Sequence, residues 1–458
     1  MLLPRTSYIL VLGLGRSGLS MARFLAAKGF SVKATDRDPA KKGLADQLNR
    51  LGIDTQIGYH DPDTFNRAGA IVVSPGIPLD MPHLLQAKAA NVPLLGELDI
   101  FSHFNQTPVV AITGTNGKTT VTTLVRDMLS ASGISVFMGG NIGIPLVDYL
   151  MDGPPAQVVV AEISSFQLDL SQSFAPETAV LLNISPDHLD RYEDMAGYCR
   201  SKWSVFKNQT SRHTAIVNAD IPDLCHTRPC LTSRIYEFSS APETRIAQGA
   251  KVTEQAIHLI LPEFFPESPI CIDGGDLVQV PGIHNLENIA AAALASLCAG
   301  GNISGICSAI KAFKGLPHRL TFVREINGIQ FYNDSKATNS DAVVRALACF
   351  NRKTVLILGG REKDTDFTPL VPALGQVTRI IALGEAADHI AEALSPVCRV
   401  TRVPDMATAV RAAYSAARPN QVVLLSPACA SFDMYDNYAE RGNDFTRHVR
   451  QLETEIHE

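Results

Sequence analysis

A glycine-rich segment that follows an apolar run and precedes a helical pattern constrains the fold of this chain more than any other feature. Residues 113–120 read Thr-Gly-Thr-Asn-Gly-Lys-Thr-Thr, at the end of the apolar run Pro108–Thr113. Apolar residues then recur at helical spacing over Thr119–Ser130. A strand, a glycine turn and a helix in this order bring backbone N–H groups and a helix N-terminus to one point, where they bind phosphate. The segment therefore predicts a mononucleotide-binding α/β unit.

Phosphate-loop chemistry gives individual residues of this segment a role. Lys118 is placed to reach the β- and γ-phosphates, and the Thr119 hydroxyl is placed to bind Mg²⁺. The full P-loop pattern needs glycine five residues before Gly117, where this chain has Ile112, so the segment is the shorter Gly-x-x-Gly-Lys-Thr form. A structural glycine turn is the alternative interpretation. The predicted nucleotide-binding residues of the loop are Gly114, Thr115, Asn116, Gly117, Lys118, Thr119 and Thr120.

A second glycine turn lies near the start of the chain. A Gly-x-Gly-x-x-Gly pattern spans Gly13–Gly18 after the apolar run Tyr8–Leu12, and Asp36 follows eighteen residues after its last glycine. Such a turn brings backbone to a phosphate but does not identify the nucleotide. Arg16 and Arg37 beside it would add charge-assisted bonds to a diphosphate. NAD, a nucleotide-linked substrate and a purely structural turn all stay open at this point.

Charge and composition exclude several classes of protein. Forty Lys and Arg against 46 Asp and Glu give a net charge of −6, whereas nucleic-acid affinity depends on clustered cations. We therefore expect no nucleic-acid partner. The hydrophobic content of 46% with 19% charged residues is typical of a chain that buries cores.

The cysteines and the apolar runs indicate the compartment. The nine cysteines are odd in number and include no Cys-x-x-Cys pair, so neither a disulfide framework nor a zinc site is predicted. No apolar run approaches the roughly 18 residues needed to span a bilayer. We expect a cytoplasmic protein without a membrane partner.

Strand and helix patterns alternate in three successive sets, as the length of 458 residues favours at roughly 150 residues per domain. The predicted domains are 1–97, 98–314 and 315–458. The predicted fold class is α/β, with an N-terminal Rossmann-like domain, a central P-loop-type mononucleotide-binding domain and a C-terminal Rossmann-like domain. Leu94–Asn105 is predicted as the first linker, and residues 232–280 are expected to hold antiparallel strands.

Two polar residues follow buried strand patterns in the central domain. Glu162 ends the run Val158–Ala161, and His188 comes shortly after the run Ala179–Leu182. Open α/β sheets bind their ligands at the edge formed by the carboxyl ends of their strands. A carboxylate suits Mg²⁺ well and an imidazole suits it poorly, so a surface role for His188 stays an alternative.

Two later segments, Asn333–Asn339 and Ser426–Phe432, are dense in polar groups. Each is consistent with a capped helix N-terminus, and their local chemistry does not separate this from a binding site.

Taken in order along the chain, these patterns resemble the Mur ligases, the ATP-dependent amide-forming enzymes that add amino acids to the peptidoglycan precursor. The resemblance covers essentially the whole chain. The motifs that carry it are Thr113–Thr120, Glu162–Gln167, Asp187–Tyr192, Tyr198-x-x-x-Lys202, His284-Asn285-x-x-Asn288, His318-Arg319 and Asn333–Asn339. Within the family, Gly13–Gly18, Ser74-Pro75-Gly76, Gly139–Gly143 and Leu425–Asp433 are most similar to the members that add D-glutamate.

The resemblance implies a reaction, its cofactors and its partners. The expected substrates are ATP, UDP-N-acetylmuramoyl-L-alanine and D-glutamate, joined through an acyl phosphate by a monomer that binds two Mg²⁺ ions. Three alternatives stay open. Another Mur-type or folylpolyglutamate-type ligase would share the central motifs, and an NAD-dependent oxidoreductase would explain only the first glycine turn. A non-catalytic nucleotide-binding regulator would leave Glu162, His188 and Lys202 without a role.

The resemblance also implies roles for single residues. The expected catalytic residues are Lys118, His188, Lys202 and Lys336. The expected metal-binding residues are Thr119, Glu162, His188 and Lys202, the last as a carbamate formed with CO₂. The expected further ATP contacts are Asn285, Asn288, Arg319 and Asp334. The expected substrate contacts are Gly15, Arg16, Ser17, Asp36, Arg37, Gly76, Asn141, Gln167, Thr338, Lys363, Ser431, Phe432 and Tyr438. At Tyr438 the best-known form of the motif has Phe, so this chain adds a hydroxyl there.

Overall fold

This computed structural model describes residues 3–188, 191–222, 230–267, 269–273, 282–361 and 365–457. The chain divides into two compact units. The first comprises Met1–Ile184, Arg191–Asp276 and Glu287–Ala312, and the second comprises Ser185–Asp190, Leu277–Leu286 and Phe313–Glu458. The domain boundaries after residues 97 and 314 stay predictions.

The first sheet follows from short apolar runs that alternate with helical patterns. Its five strands are all parallel, in the order β3-β2-β1-β4-β5, which is the order of one Rossmann-type half. Its strands are β1 (Ile9–Leu12), β2 (Val32–Asp36), β3 (Asp54–Ile57), β4 (Ala70–Val73) and β5 (Leu94–Leu95). Its helices are α1 (Arg16–Ala27), α2 (Lys42–Arg50), α3 (Pro62–Asn66), α4 (Pro82–Ala89) and α5 (Glu97–Phe104), with a 3₁₀ turn at Pro39–Lys41.

The prediction of a linker over Leu94–Asn105 is wrong. These residues form the edge strand β5 and the helix α5, in which five consecutive residues starting at Glu97 are buried. The helix carries two carboxylates, and both are buried because they accept hydrogen bonds from groups far away along the chain, which a local pattern does not report.

The second sheet has nine strands in the order β14-β13-β12-β11-β10-β9-β6-β8-β7. The strands are β6 (Val109–Thr113), β7 (Val136–Gly140), β8 (Val158–Glu162), β9 (Thr178–Leu181), β10 (Thr214–Asn218), β11 (Arg234–Ser239), β12 (Gly249–Val252), β13 (Ala256–Ile260) and β14 (Ile270–Asp273). The expected antiparallel pairs join β12, β13 and β14, whereas β11 extends the parallel part of the sheet.

The helices of this region flank the parallel strands. They are α6 (Lys118–Ala131), α7 (Leu146–Asp152), α8 (Ser165–Asp169), α9 (Met195–Trp203), α10 (Ile283–Cys298) and α11 (Ile303–Ala312), with a 3₁₀ turn at Ser204–Phe206. The parallel strands β6, β8 and β9 are buried along their whole lengths, as continuous apolar runs covered on both faces require. Their carboxyl ends therefore meet at one edge of the sheet, where the phosphate loop begins.

The third sheet has six strands in the order β15-β16-β20-β17-β18-β19, and only β15 runs antiparallel. The strands are β15 (Thr321–Ile326), β16 (Ile329–Asn333), β17 (Thr354–Gly359), β18 (Val377–Leu383), β19 (Val400–Arg402) and β20 (Val422–Leu425). The helices are α12 (Ser340–Leu347), α13 (Ala387–Leu394), α14 (Met406–Ala416) and α15 (Tyr438–His457), with a 3₁₀ helix at Thr368–Gln376.

The order of the third sheet explains why two distant polar segments come together. Asn333 at the end of β16 is the register partner of Leu425 at the end of β20. The segments Asn333–Asn339 and Ser426–Phe432 therefore leave neighbouring strand ends. The three sheets with flanking helices confirm the predicted three-part α/β fold class. Among the helices that the structure describes, none combines the length and the apolar character needed to cross a bilayer.

Candidate active site

The phosphate loop joins β6 to α6 through two glycines in left-handed conformations. Gly114 has φ +151° and Gly117, the residue that precedes α6, has φ +86°, values that favour glycine. A Cβ on Gly117 would collide with the Asn288 side chain. The predicted ATP contact Asn288 thus lies against the loop, and Asn285 lies three residues earlier on the same helix. Thr119 stands in the first turn of α6, beside the buried Thr120.

Asn183 holds this loop from the neighbouring strand, and the motif analysis missed it. Its Oδ1 accepts the backbone N–H of Asn116 at 2.8 Å, and its Nδ2 donates to the Asn116 carbonyl at 3.0 Å. The Thr115 N–H donates to the Asn183 carbonyl at 3.0 Å. A polar residue just after the buried strand β9 was the available signal, because strand ends of this sheet border the ligand.

Two lysines converge on one carbonyl of the loop. Lys118 Nζ donates to the Gly114 and Thr115 carbonyls at 2.8 Å each, and Lys202 Nζ donates to the same Gly114 carbonyl at 2.8 Å. Lys202 is only 2% exposed and lies over the Tyr198 ring at 4.6 Å. The Tyr198 hydroxyl in turn lies 3.1 Å from Thr115 Oγ1. The sequence alone predicts Lys202 to be a surface lysine on a helix, whereas the structure buries it beside the phosphate loop.

Glu162 supplies a buried carboxylate at the same edge of the sheet. It is 3% exposed, and its Oε1 accepts Asn141 Nδ2 at 2.8 Å. Its Oε2 is buried and has no hydrogen-bond partner among the described residues. A buried anionic oxygen of this kind suits a cation. The described residues include no cluster of three or more His, Cys, Asp or Glu that would hold a metal alone, which fits Mg²⁺ held mainly by phosphates and water.

The glycine turn of the first sheet is held by its own acidic residue. Asp36 Oδ2 accepts the Leu14 N–H at 2.6 Å, and Ser74 Oγ donates to the Gly13 carbonyl at 2.8 Å. A Cβ on Gly18 would collide with the Gly13 carbonyl, so α1 packs directly on the turn. The predicted contacts Gly15, Arg16, Arg37 and Gly76 are exposed around it.

The first sheet reaches the second through the start of α1. Arg16 Nη1 donates to the Gly143 carbonyl at 2.6 Å, two residues after the predicted contact Asn141. Gln167, another predicted substrate contact, is 2% exposed. Its Oε1 accepts the Ser164 N–H and hydroxyl at 3.0 Å each. Within the first unit, the structure therefore brings the two groups of predicted substrate contacts together through the Arg16–Gly143 bond.

His188 belongs to the second compact unit. It has φ +55°, a conformation that is rare for non-glycine residues and frequent at functional sites. Its Nε2 lies 3.8 Å from Asp187 Oδ2, which also accepts Asn339 Nδ2 at 3.2 Å. The imidazole therefore has a carboxylate neighbour.

The remaining cluster of the second unit forms around the end of β16. Asp334 accepts Ser426 Oγ at 2.9 Å and the Leu320 N–H at 3.1 Å, next to the predicted ATP contact Arg319. Lys336 Nζ lies 3.2 Å from the Tyr438 hydroxyl and 4.6 Å from the centre of its ring. The hydroxyl that distinguishes Tyr438 from Phe thus contacts the predicted catalytic lysine.

The other predicted contacts of the amino-acid pocket differ in exposure. Thr338 is exposed and Ser431 is buried, while Phe432 is 59% exposed. An exposed aromatic ring beside a polar loop is available to a ligand. Lys363 lies outside the described residues.

Burial raises the pKa of Asp334 to about 7, although bonds from Ser426 and Leu320 and the charge of Arg319 oppose the shift. The folded state binds the Asp334 proton more tightly than the unfolded state. The protonated carboxyl therefore stabilises the fold fully below pH about 4, and this stabilisation is lost as the pH rises towards about 7. We expect Asp334→Asn to remove this dependence of stability on pH. The stability difference between wild type and variant should change by up to about 1.4 kcal/mol per pH unit in that window. Calorimetric melting at several pH values measures it, and a constant difference would contradict the prediction.

Together, the fold and the site define a class of protein. The central parallel sheet carries a phosphate loop with a buried carboxylate and two lysines beside it, and Rossmann-like sheets come before and after it in the chain. These features are typical of an enzyme that transfers a phosphoryl group from a nucleotide. Family models match three consecutive segments. The Mur ligase MurD-like N-terminal domain matches residues 7–96, the Mur ligase middle domain 112–296, and the Mur ligase glutamate ligase domain 318–429.

Curated relatives agree over nearly the whole chain. A protein of Desulfatibacillum aliphaticivorans named UDP-N-acetylmuramoylalanine–D-glutamate ligase is 44% identical, covering 97% of this chain and 98% of the relative. A protein of the same name from Desulfosudis oleivorans is 42% identical, covering 98% and 97%. The chain belongs to the Mur ligase family and is an ATP-dependent ligase.

Solved structures show the same fold at low identity. A pseudomurein peptide ligase type C from Methanothermus fervidus has a TM-score of 0.59 at 19% identity, covering 98% of this chain and all of that chain. MurF ligase from Thermotoga maritima in complex with ADP has a TM-score of 0.60 at 16% identity, covering 92% and 96%.

Proposed function

We propose that this protein joins D-glutamate to UDP-N-acetylmuramoyl-L-alanine and converts ATP to ADP and phosphate. The observation that carries the proposal is the convergence of Lys118 and Lys202 on the Gly114 carbonyl. Glu162 Oε2 lies buried in the same unit and has no hydrogen-bond partner in the part of the chain that the structure describes. This arrangement suits the γ-phosphate of ATP and its metal. The names of the relatives support D-glutamate and the UDP-linked acceptor as the substrates.

The chemistry has two steps. Amide formation from a carboxylate needs activation, so a carboxylate oxygen of the alanyl group attacks the γ-phosphorus and ADP leaves. The uncharged glutamate amine then attacks the acyl carbon, phosphate leaves, and the nitrogen loses one proton. Charge develops on the phosphoryl oxygens in the first step, where cations and backbone N–H groups stabilise it.

The chain's own residues divide this work. Gly114 and Gly117 let the loop backbone close around the phosphates, and Asn183 keeps Asn116 in place. Lys118 neutralises charge on the transferred group. Glu162 and Thr119 are the proposed ligands of Mg²⁺, and when bound, this ion screens the phosphate charge as a Lewis acid. A carbamate on Lys202 would hold the proposed second Mg²⁺.

The environment of Lys202 supports its proposed carbamylation. The Nζ atoms of Lys118 and Lys202 both donate to the Gly114 carbonyl, and two ammonium groups so close together repel each other. The neutral amine attacks the carbon of CO₂, forms an N–C bond and releases a proton. The resulting carbamate is an anion, and it would replace the repulsion of Lys118 by attraction and would suit the second Mg²⁺.

The second unit supplies the proposed glutamate pocket. Lys336 and Thr338 are proposed to bind glutamate together with Ser431, Phe432, Tyr438 and Lys363. His188 is the proposed acceptor of the amine proton, and the Asp187 carboxylate lies 3.8 Å from its Nε2. We further propose action as a monomer in the cytoplasm, where the eight described cysteines, all free thiols, stay reduced.

Phosphate release from ATP tests the function. The purified protein is given ATP, Mg²⁺ and UDP-N-acetylmuramoyl-L-alanine, and each amino acid is then added separately. We expect release only with D-glutamate, together with a new UDP-linked dipeptide in the mass spectrum. Release that does not depend on D-glutamate would overturn the proposal, and release with another amino acid would reassign the chain within the family.

A further inference from the structure

Glu97 is a buried carboxylate that none of the sequence motifs includes. It is the first residue of α5 and is 1% exposed. Its Oε1 accepts the Leu146 N–H at 2.7 Å, and its Oε2 accepts Gln167 Nε2 at 3.4 Å. Burial raises the pKa of Glu97, whereas hydrogen bonding from the Leu146 N–H, the Ser17 hydroxyl, Gln167 and the Val147 N–H opposes the shift.

The four partners come from different parts of the first unit. Ser17 lies in the first turn of α1, directly after the glycine turn of the first sheet. Leu146 and Val147 begin α7, after the loop that carries Asn141. Gln167 lies on α8, after the strand that ends at Glu162. Glu97, which follows strand β5 of the first sheet, is therefore bonded to two segments of the second sheet and lies close to Ser17 at the start of α1.

Further hydrogen bonds near Glu97 connect the first sheet's helix α1 with the same segments of the second sheet. Arg16 donates to the Gly143 carbonyl at 2.6 Å, and Ser20 Oγ lies 3.0 Å from Asp148 Oδ2. These bonds connect α1 to the same loop and helix that Glu97 holds. Glu97 differs from both because its carboxylate is buried and because it bonds to the start of α7 and to α8 at once.

The chemistry of the partners requires an ionised or at least acceptor-rich group. The Leu146 N–H and Gln167 Nε2 both donate, one to each carboxylate oxygen of Glu97. A glutamine of the same length would turn an NH₂ group towards at least one of these donors. A buried donor that faces another donor loses its bond without gaining water in exchange. Glu97→Gln therefore disturbs these hydrogen bonds and leaves the side-chain volume nearly unchanged.

We propose that Glu97 is a positioning residue, which sets the spacing between the diphosphate-binding turn of the first sheet and the Asn141 loop of the second. A substrate that carries both a diphosphate and a sugar-peptide portion must contact both sides, so the spacing determines how tightly it binds. This inference rests on the proposed UDP-linked substrate. It adds a determinant of affinity for that substrate alone.

Asp99 offers a matched control in the same helix. It is fully buried, and its Oδ1 accepts the Gln172 N–H at 2.9 Å and the Ser173 N–H and hydroxyl at 2.8 Å each. These described bonds do not involve the glycine turn or the Asn141 loop. Asp99→Asn thus removes a carboxylate that is buried as deeply as that of Glu97, and it leaves the contacts between the glycine turn and the Asn141 loop unchanged.

The test compares Glu97→Gln with Asp99→Asn. For Glu97→Gln we expect KM for UDP-N-acetylmuramoyl-L-alanine to rise roughly 10-fold, with KM for ATP and D-glutamate and with kcat changed less than about threefold. For Asp99→Asn we expect a lower melting temperature and an unchanged KM for the UDP-linked substrate. An unchanged KM in Glu97→Gln, or an equal rise in all three KM values, would overturn the proposal.

Two further measurements keep the outcome decisive. If Glu97→Gln does not fold, Glu97→Asp, which keeps the carboxylate but shortens its reach, is tested by the same criteria. Calorimetric titration with UDP-N-acetylmuramoyl-L-alanine measures affinity without turnover. If the wild-type protein binds this ligand but releases no phosphate, the proposed function fails, whereas the comparison of affinities still decides the role of Glu97.

Discussion

Replacing Lys118 with alanine is expected to lower kcat by about 10³-fold, because it removes a cation that the transition state of phosphoryl transfer requires. The lysine stands at the first position of α6, and its Nζ already lies at the loop carbonyls of Gly114 and Thr115. It therefore needs only a side-chain movement to reach the γ-phosphate. The measurement is the rate of phosphate release at saturating substrates.

The matched control for Lys118 is Lys353→Ala. Lys353 is exposed on the third-sheet part of the chain, so its loss changes the net charge equally and should leave the rate within about twofold, as for an ordinary surface substitution. Binding of ADP by Lys118→Ala should weaken much less than kcat falls, since the γ-phosphate is absent. A kcat close to that of wild type in Lys118→Ala would remove this lysine from the mechanism.

The strands and loops that border the ligand were the predictable part of this fold. Continuous apolar runs such as Val158–Ala161 have one natural place, a parallel strand covered on both faces. The polar residue that ends such a run then lies at the carboxyl edge of the sheet. This reasoning placed Glu162 and the loop around Lys118 correctly relative to their strands, because local order along the chain determines both.

Other site features depend on contacts between distant residues, and no local pattern reports them. Asn183 bonds to Asn116, and Glu97 bonds to Leu146 and Gln167. No sequence motif included Asn183 or Glu97. The same limitation produced the wrong linker over Leu94–Asn105, since acidic residues are buried only where distant donors satisfy them.

Lys202 shows most clearly how the sequence and the structure complement each other. The resemblance assigned it a carbamate, and helical periodicity alone assigned it to the surface. The structure shows that it is 2% exposed and bonded to the phosphate loop. The proposed carbamate would turn this cation into an anion beside Lys118, so that a repulsion would become an attraction.

Lys202→Ala should therefore lower kcat by about 10³-fold, comparable to the loss of other groups that stabilise transferred charge. Small carboxylates such as formate or acetate should then raise the rate by at least about tenfold, because a free acid can supply the missing anion. Lys202→Arg keeps a cation but cannot form a carbamate, so it should be inactive and should not respond to carboxylates.

Two controls make the Lys202 experiment specific. Lys207→Ala removes an exposed lysine shortly after α9 and should keep wild-type activity with no response to acetate. In wild-type protein equilibrated with ¹³C-bicarbonate, a carbamate carbonyl signal should appear in the NMR spectrum and should be missing in Lys202→Arg. Full activity of Lys202→Arg would contradict the carbamate and would reassign Lys202 to a structural bond with the Gly114 carbonyl, because both side chains can donate to that oxygen but only lysine can bind CO₂.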